Sequence, residues 1–318
     1  MNVDTGVTLY DASAGGRLVM RGEDRRSFLH NFCTNDIEGL ADGESCEAFV
    51  TDMRGRVLGH LWVVAMPERL WLHSVGSSLD SLVSHLQKYV ITEDVEIEDV
   101  TQRTSRVVLC GEGSAAAAKR ITESLSGAWG AAVGQAVVRW VSDGDVLLWL
   151  ESEEEGSDLQ LAAMATGVPV GTPESFESRR IAALLPRFGP DIDSSHLAQE
   201  VDRDELAISF SKGCYLGQET IARVESRGRV NRLLRGLGFE GERCPEPGAV
   251  IVAEGGGEGG SEVGRVGSVA PTEGHSARSP DTAAALAMVR REVSQAGTRV
   301  EVQTSEGPLA AWIVERVG

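Results

Sequence analysis

The sequence predicts an α+β protein built on antiparallel sheets and closed by a C-terminal β-barrel. Two observations carry this reading. A strand–helix–strand–strand pattern occurs twice before residue 155, which favours antiparallel sheets over a doubly wound parallel one. From about residue 236 the texture changes to short apolar runs between Gly-rich turns, as in a barrel or sandwich. The 318 residues suit two or three domains. The pattern divides them into 1–104, 105–235 and 236–318.

Residues 17–21 (RLVMR) read as a short strand, and Asp24 is placed to N-cap a helix whose Phe28, Leu29 and Phe32 share one face. Residues 47–53 and 56–65 read as strands around a turn at Arg54-Gly55, and 69–74 as another. Ser78–Val90 is the clearest helix: Leu79, Leu82, Val83, Leu86 and Val90 form one stripe, and Ser78 can cap it. VEIEDVT alternates like a half-buried strand. In the second unit, 106–111 reads as a strand, 114–125 as a helix and 136–150 as a hairpin turning at Asp143-Gly144. In the last segment GLGFEG, AVIVAEG, GRVGSVA, RVEVQTS and LAAWIVERV are strands, 254–264 is an exposed loop and 276–285 a turn.

Thirty Lys+Arg against 48 Asp+Glu give a net charge of −18. No clustered basic stretch is visible, which argues against duplex nucleic acid as a partner. The five cysteines (Cys33, Cys46, Cys110, Cys214, Cys244) are widely spaced without a CxxC, so no metal or cluster site is expected from this chain alone. The opening residues lack a basic, then apolar leader, and no run of 18 apolar residues occurs. No membrane partner and a cytoplasmic, thiol-reducing location are therefore expected.

Residues 207–224, AISFSKGCYLGQETIARV, carry the most information. Two glycines bracket Cys214-Tyr215, which reads as a tight loop from Lys212 to Gly217 between a strand and a helix starting near Gln218. Next to a helix N-terminus, and with Lys212 nearby, the Cys214 thiol is a candidate for a lowered pKa and function. A buried, inert cysteine is the competing reading. Glu219 can accept paired N–H bonds from a 2-aminopyrimidinone ring, and Gln218 offers one donor and one acceptor. Glu219 is equally suited as a first-turn acid. Arg223 and Arg227 can meet a ligand carboxylate or stay solvated. Asn35-Asp36, just past the first helix, either lines a binding channel or caps the next turn. Tyr215 either stacks on a flat ring or belongs to the core.

KGCYLGQET, with IAR after it and a following RG, closely resembles the signature of the YgfZ family, a folate-binding, iron–sulfur-related branch of the glycine cleavage T-protein superfamily. FLHNFCTNDIEGLADG (28–43), RIAALLPRFGPDI (180–192), VGRVGSVAP and ALAMVRREV resemble other parts of that superfamily, so the likeness covers most of the chain. It implies a ring-like folate-binding arrangement of α+β domains with a terminal barrel. It further implies that tetrahydrofolate or a one-carbon derivative is bound. The implied role is in iron–sulfur protein assembly or repair, with iron–sulfur client or assembly proteins as partners. Cys214 and Lys212 become the candidate functional pair, and Asn35, Asp36, Tyr215, Gly217, Gln218, Glu219 and Arg223 the candidate folate contacts.

The alternative is a folate-dependent aminomethyltransferase or other one-carbon transferase or demethylase. The resemblance departs from the aminomethyltransferase pattern at two places. Gly59-His60 stands where that enzyme carries an acidic pair, and Ala182 where it carries a pterin-gripping Glu. His60 can be read as a replacement base or as a satisfied strand histidine, and Asp52 is the other nearby acid or base. Glu200 is at most a wall position. A non-catalytic interaction protein using its acidic surface is a third reading.

Overall fold

The computed structural model describes residues 6–74, 79–129, 133–138, 144–151, 163–239, 243–255, 260–271 and 283–315. The chain forms two compact units: residues 1–173 with 203–219, and residues 174–202 with 220–318.

The first unit runs β1 (Thr8–Asp11), β2 (Arg17–Arg21), α1 (Arg25–Phe32), β3 (Ser45–Thr51), β4 (Val57–Ala65), β5 (Leu70–Ser74), α2 (Asp80–Gln87), β6 (Glu96–Asp99), β7 (Thr104–Cys110), α3 (Ser114–Trp129), β8 (Val133–Val138) and β9 (Asp145–Glu151). Of the later helices, α5 (Asp204–Ala207) belongs to this unit, α4 (Pro173–Ala182) belongs to the second apart from its first residue, and α6 (Gln218–Arg227) starts in the first and continues into the second. The strands form two antiparallel sheets, β3-β4-β5-β2-β6 and β1-β7-β9-β8. Strand β1 hydrogen-bonds to β7, across the sequence division drawn at 104/105.

Helices α1 and α2 cover the first sheet: Phe28, Leu29, Leu82 and Leu86 pack on Leu18, Val50, Leu61 and Leu72. Helix α3 lays Ala117, Ile121 and Leu125 on Val107, Leu109 and Leu148 of the second. Each fully buried Leu or Ile contributes roughly 1.5–3 kcal/mol. Across the sheets, Trp71 meets Trp149 at 5.5 Å, with His73 against both rings. Strands β4 and β5 are thus covered on both faces, which is why LWVVA and LWLHS are apolar without alternation. Edge strand β6 keeps exposed Glu96 and Asp99.

Two buried arginines sit where the sheets meet. Arg17 donates to Ser13 O (2.8 Å), Gly15 O (2.6 Å) and Thr104 O (2.8 Å). Arg106 donates to Ala12 O (2.6 Å) and Ser74 O (2.9 Å). His73 shares this interior, with neither ring nitrogen hydrogen-bonded among the described residues. Burial, and then Arg106 and Arg17, push its pKa well below the ordinary value. The folded state therefore keeps His73 neutral while the unfolded chain takes up a proton below about pH 6.5. Stability is expected to fall as pH drops through and below 6.5, by up to about 1.4 kcal/mol per pH unit. Urea midpoints at pH 7 and pH 5.5 check this, and His73→Phe should flatten the dependence.

The second unit ends in a closed six-stranded barrel, β10-β13-β12-β11-β14-β15. Its strands are β10 (Arg232–Phe239), β11 (Val250–Ala253), β12 (Glu262–Val269), β13 (Ala285–Arg290), β14 (Arg299–Thr304) and β15 (Gly307–Val314). Phe239, Ile251, Val289, Val302 and Ile313 share its core. The segment before it is locked by charge. Buried Arg180 contacts Asp191 (3.1 Å) and Glu177, and Asp191 accepts from Ser268 N–H (2.7 Å) and hydroxyl (3.0 Å).

Several sequence expectations are corrected. Asp24 precedes α1 but does not cap it; its carboxylate accepts from the Asp94 N–H (2.8 Å). Helix α2 ends at Gln87 because the Tyr89 and Val90 amides tighten onto Leu86 and Gln87, while Tyr89 packs on Phe32 at 4.7 Å. Ser78 and Asp143 lie outside the described residues. Strand β12 already begins at Glu262 within the expected loop, and β13 at Ala285; residues 276–282 are outside the description. Residues 204–211, immediately before Lys212, contain no strand. The Thr34 hydroxyl donates to Ala207 O (2.5 Å) and the Ser209 N–H to Thr34 O (2.9 Å), so this backbone is satisfied by the residue-34 turn.

Candidate functional site

The loop bearing Cys214 is built on the end of α1. A helix leaves its last carbonyls without intrahelical donors, and the 212–216 segment supplies them. The Lys212 ammonium donates to the carbonyls of His30 (2.5 Å), Cys33 (2.9 Å) and Asn35 (2.8 Å). The Leu216 N–H donates to Asn31 O (2.9 Å). The cation thus sits at the negative end of the helix dipole, 4.9 Å over the Tyr215 ring. Its hydrogen bonds run to these carbonyls rather than to Cys214, and burial lowers its pKa.

With Lys212 and Leu216 both tied down, the residues between them arch. Tyr215 turns inward at 8% exposure and Cys214 is exposed. Burial pushes the Tyr215 hydroxyl up to about 12. The other cysteines are buried or half-buried. Burial raises Cys33 to about 11 and raises Cys46 further. Cys214 is therefore the one exposed thiol of the five. His30 lies under the arch, 7% exposed, with Nε2 3.9 Å from where a Cβ on Gly213 would stand.

The far flank docks on the β3–β4 turn. Gly217 has φ +90°, and a Cβ there would lie 2.5 Å from Asp52 O and 2.7 Å from Thr51 Oγ1. The Thr51 hydroxyl donates to Leu216 O (2.8 Å). Helix α6 then starts at Gln218, as its sequence predicts. Gln218 is half-buried, and Glu219 and Arg223 are exposed.

Two further anchors were singled out in the sequence for other work. Asn35 Nδ2 donates to Glu47 O (2.7 Å) and Leu206 O (2.9 Å). Asp36 accepts from the Gly39 N–H (3.0 Å), the turn-capping alternative, and lies 3.3 Å from His30 Nδ1.

Sequence reasoning missed the buried triad upstream. Arg203, which leads into α5, grips Glu47 of β3 through two bonds of 2.5 and 2.7 Å, and His60 Nε2 of β4 lies 2.6 Å from the same carboxylate. Glu47, Arg203 and His60 are 4%, 3% and 1% exposed. Burial alone would raise the Glu47 carboxyl, but the Arg203 charge, its hydrogen bonds and His60 bring it down to about 2. His60 is thus a buried strand histidine tied through Nε2 to this carboxylate. Asp52, the other base considered, accepts from Arg54 N–H (2.8 Å) and Arg56 N–H (2.9 Å) within its turn. Among the described residues no group of three or more His, Cys, Asp or Glu is placed to hold a metal ion. No helix among them is long and apolar enough to cross a membrane.

Residues 1–131 match the GCVT N-terminal domain family. A chloroplastic protein of Arabidopsis thaliana, whose name carries the word transferase, is 30% identical over 272 residues, covering 79% of this chain and 60% of that protein. The tRNA-modifying protein YgfZ of Vibrio atlanticus is 28% identical over 231 residues, 69% of this chain and 65% of the relative. The chain thus spans less than two thirds of the length of these two relatives. The fold resembles that of the glycine cleavage system aminomethyltransferase T of Bartonella henselae, with a TM-score of 0.77 over 98% of this chain and 86% of the other at 16% identity. Residues 1–131 thus carry the GCVT N-terminal domain, the chain is similar in sequence to YgfZ proteins, and its fold is similar to that of a glycine cleavage T-protein.

Proposed function

We propose that this chain binds tetrahydrofolate, or a one-carbon derivative of it, and serves the assembly or repair of iron–sulfur proteins, with Cys214 as the functional thiol. The observation that carries this is the exposure of Cys214 on a loop whose flanks, Lys212 and Leu216, are both bonded to the end of α1. A thiol held between fixed neighbours is presented to a partner in one geometry. A single thiolate does not hold a cluster, so any cluster contact is transient or shared with the client protein.

The donor set at the start of α6 fits a reduced pterin. Glu219 offers an exposed carboxylate for paired N–H donors, Gln218 a donor and an acceptor, and Arg223 an exposed cation for the ligand's carboxylate. Tyr215 and Gly217 shape the loop, and Asn35 and Asp36 hold the turn beneath it. Bound tetrahydrofolate supplies a one-carbon carrier. Five free thiols favour a reducing compartment such as the cytoplasm.

The transferase reading finds less support, because His60 is committed to Glu47 and Asp52 to its own turn. The word tRNA in the bacterial relatives' name is accommodated indirectly: maturing an iron–sulfur enzyme that acts on RNA requires no RNA contact, in keeping with a charge of −18.

Cys214→Ala is expected to retain its melting temperature and its calorimetric tetrahydrofolate binding. It should fail to rescue a strain with defective iron–sulfur enzymes. Full rescue by this variant would reject the thiol's role, and no folate binding by the wild type would reject the ligand.

A further inference from the structure

We propose that the second unit carries a binding groove for a small organic oxyanion, a phosphate or carboxylate attached to an apolar ring, against β10, β12 and β13. The groove has a volume of about 710 Å³, the size of sites that take drug-sized ligands. It lies wholly within this unit and is independent of the Cys214 loop.

Three arginines line it in a chain whose net charge is −18: Arg232, Arg265 and Arg290. Arg232 of β10 and Arg290 of β13 are direct cross-strand partners. Like charges in that register repel, and an anion between them removes the cost. Arg232 is partly neutralised by Glu200 at 3.0 Å, and Arg265 by Glu262 at 2.8 Å. Among the described residues Arg290 is the least compensated of the three: the carboxylate paired with it, Glu292, is 3.8 Å away, and its side chain is 54% exposed. It is the natural first contact for an oxyanion, with Arg232 and Arg265 completing a fork-like donor set.

The space itself is made by small residues and a pinned wall. A Cβ on Gly267 would lie 2.5 Å from Asp191 Oδ1, and Asp191 is held by Arg180 and Ser268. The 190–196 segment is therefore fixed over β12 as one side of the groove. The register of β12 against β13 shifts between Val266 and Val269, a bulge of the kind that re-aims side chains beside binding sites. Pro247 and Met288 supply apolar surface beside the arginines. Asp193 and Glu262, the acids on the rim, are engaged by the Ser195 N–H (2.8 Å) and by Arg265 (2.8 Å). They set a preference for a ligand whose charge is localised at one end.

Phenyl phosphate, benzoate and inorganic phosphate are the probes, titrated into the full chain at low salt by calorimetry, with amide NMR shifts at Gly264 and Gly267 to locate binding. Phenyl phosphate or benzoate should bind saturably at one site, about tenfold more tightly than inorganic phosphate. Whichever of the two binds more tightly identifies the head group. Arg265→Glu/Arg290→Glu alters two exposed side chains and should keep the wild-type circular dichroism while losing at least about tenfold in affinity. Glu262→Gln should bind more tightly than wild type. Failure of both ring-bearing anions to saturate up to about 10 mM, or undiminished binding by the double variant, overturns the site.

Discussion

Replacing Glu47 with alanine is expected to remove on the order of 3–5 kcal/mol from the unfolding free energy, a large part of what a domain of this kind has. The carboxylate accepts two bonds from Arg203 and lies 2.6 Å from His60, all three nearly inaccessible to water. Truncation leaves a buried guanidinium without its anion, the costly half of a buried ion pair. Glu47→Leu combined with Arg203→Met should cost much less than Glu47→Ala alone, since an apolar pair leaves no orphaned charge. Acid should reproduce part of the loss. The folded carboxyl sits at about 2 against an ordinary 4.5, so its contribution is present above pH 4.5 and is lost as pH falls towards 2, roughly 3 kcal/mol in all. Urea midpoints of wild type and variants at pH 7, with a wild-type acid titration, measure both. A Glu47→Ala protein within a degree or two of the wild-type melting temperature would sink this account of the triad.

The sequence made much of the fold legible where the signal is local. The stripe of Leu79, Leu82 and Leu86 lies on the first core, the Gly-punctuated strands after residue 236 close into the barrel, and α6 starts at Gln218 after a glycine at positive φ. The signals that failed are the non-local ones. Residues 206–210 have the apolar content of a strand, but Thr34, far away in sequence, takes their backbone bonds. Lys212 is read from sequence as a helper of the neighbouring thiol, because nothing local shows that three carbonyls converge on its ammonium. The Glu47–Arg203 bond joins residues 156 positions apart. Its one trace in the sequence is a glutamate as the only charge in the strand SCEAFVT, a charge that burial tolerates only with a partner. The groove of the second unit is likewise invisible before folding, since Arg232 and Arg290 meet only through the register of β10 on β13.

Gly217→Ala separates the geometry of the thiol from its chemistry. Cys214 is untouched by it, yet the loop's far anchor is removed. At φ +90° an alanine is strained by about 1–3 kcal/mol, and its Cβ would stand 2.5 Å from Asp52 O and 2.7 Å from Thr51 Oγ1. Neither neighbour yields easily: Asp52 is bound into the β3–β4 turn, and Thr51 holds Leu216 O. The least costly relief is for residues 216 and 217 to lift off the turn, breaking the Thr51–Leu216 bond and slackening the hold of Leu216 on Asn31. Lys212 stays capped on α1, so the fold survives with a modest loss of stability, about 1–3 kcal/mol. The arch between the anchors no longer has one shape. The expected result is a folded protein whose Cys214 still alkylates, whose loop amides at 213–217 exchange faster with solvent, and whose rescue of iron–sulfur enzymes falls nearly as far as that of Cys214→Ala. If Gly217→Ala rescues fully while its loop exchange rises, then holding the thiol in one geometry is dispensable, and exposure of Cys214 alone accounts for its role.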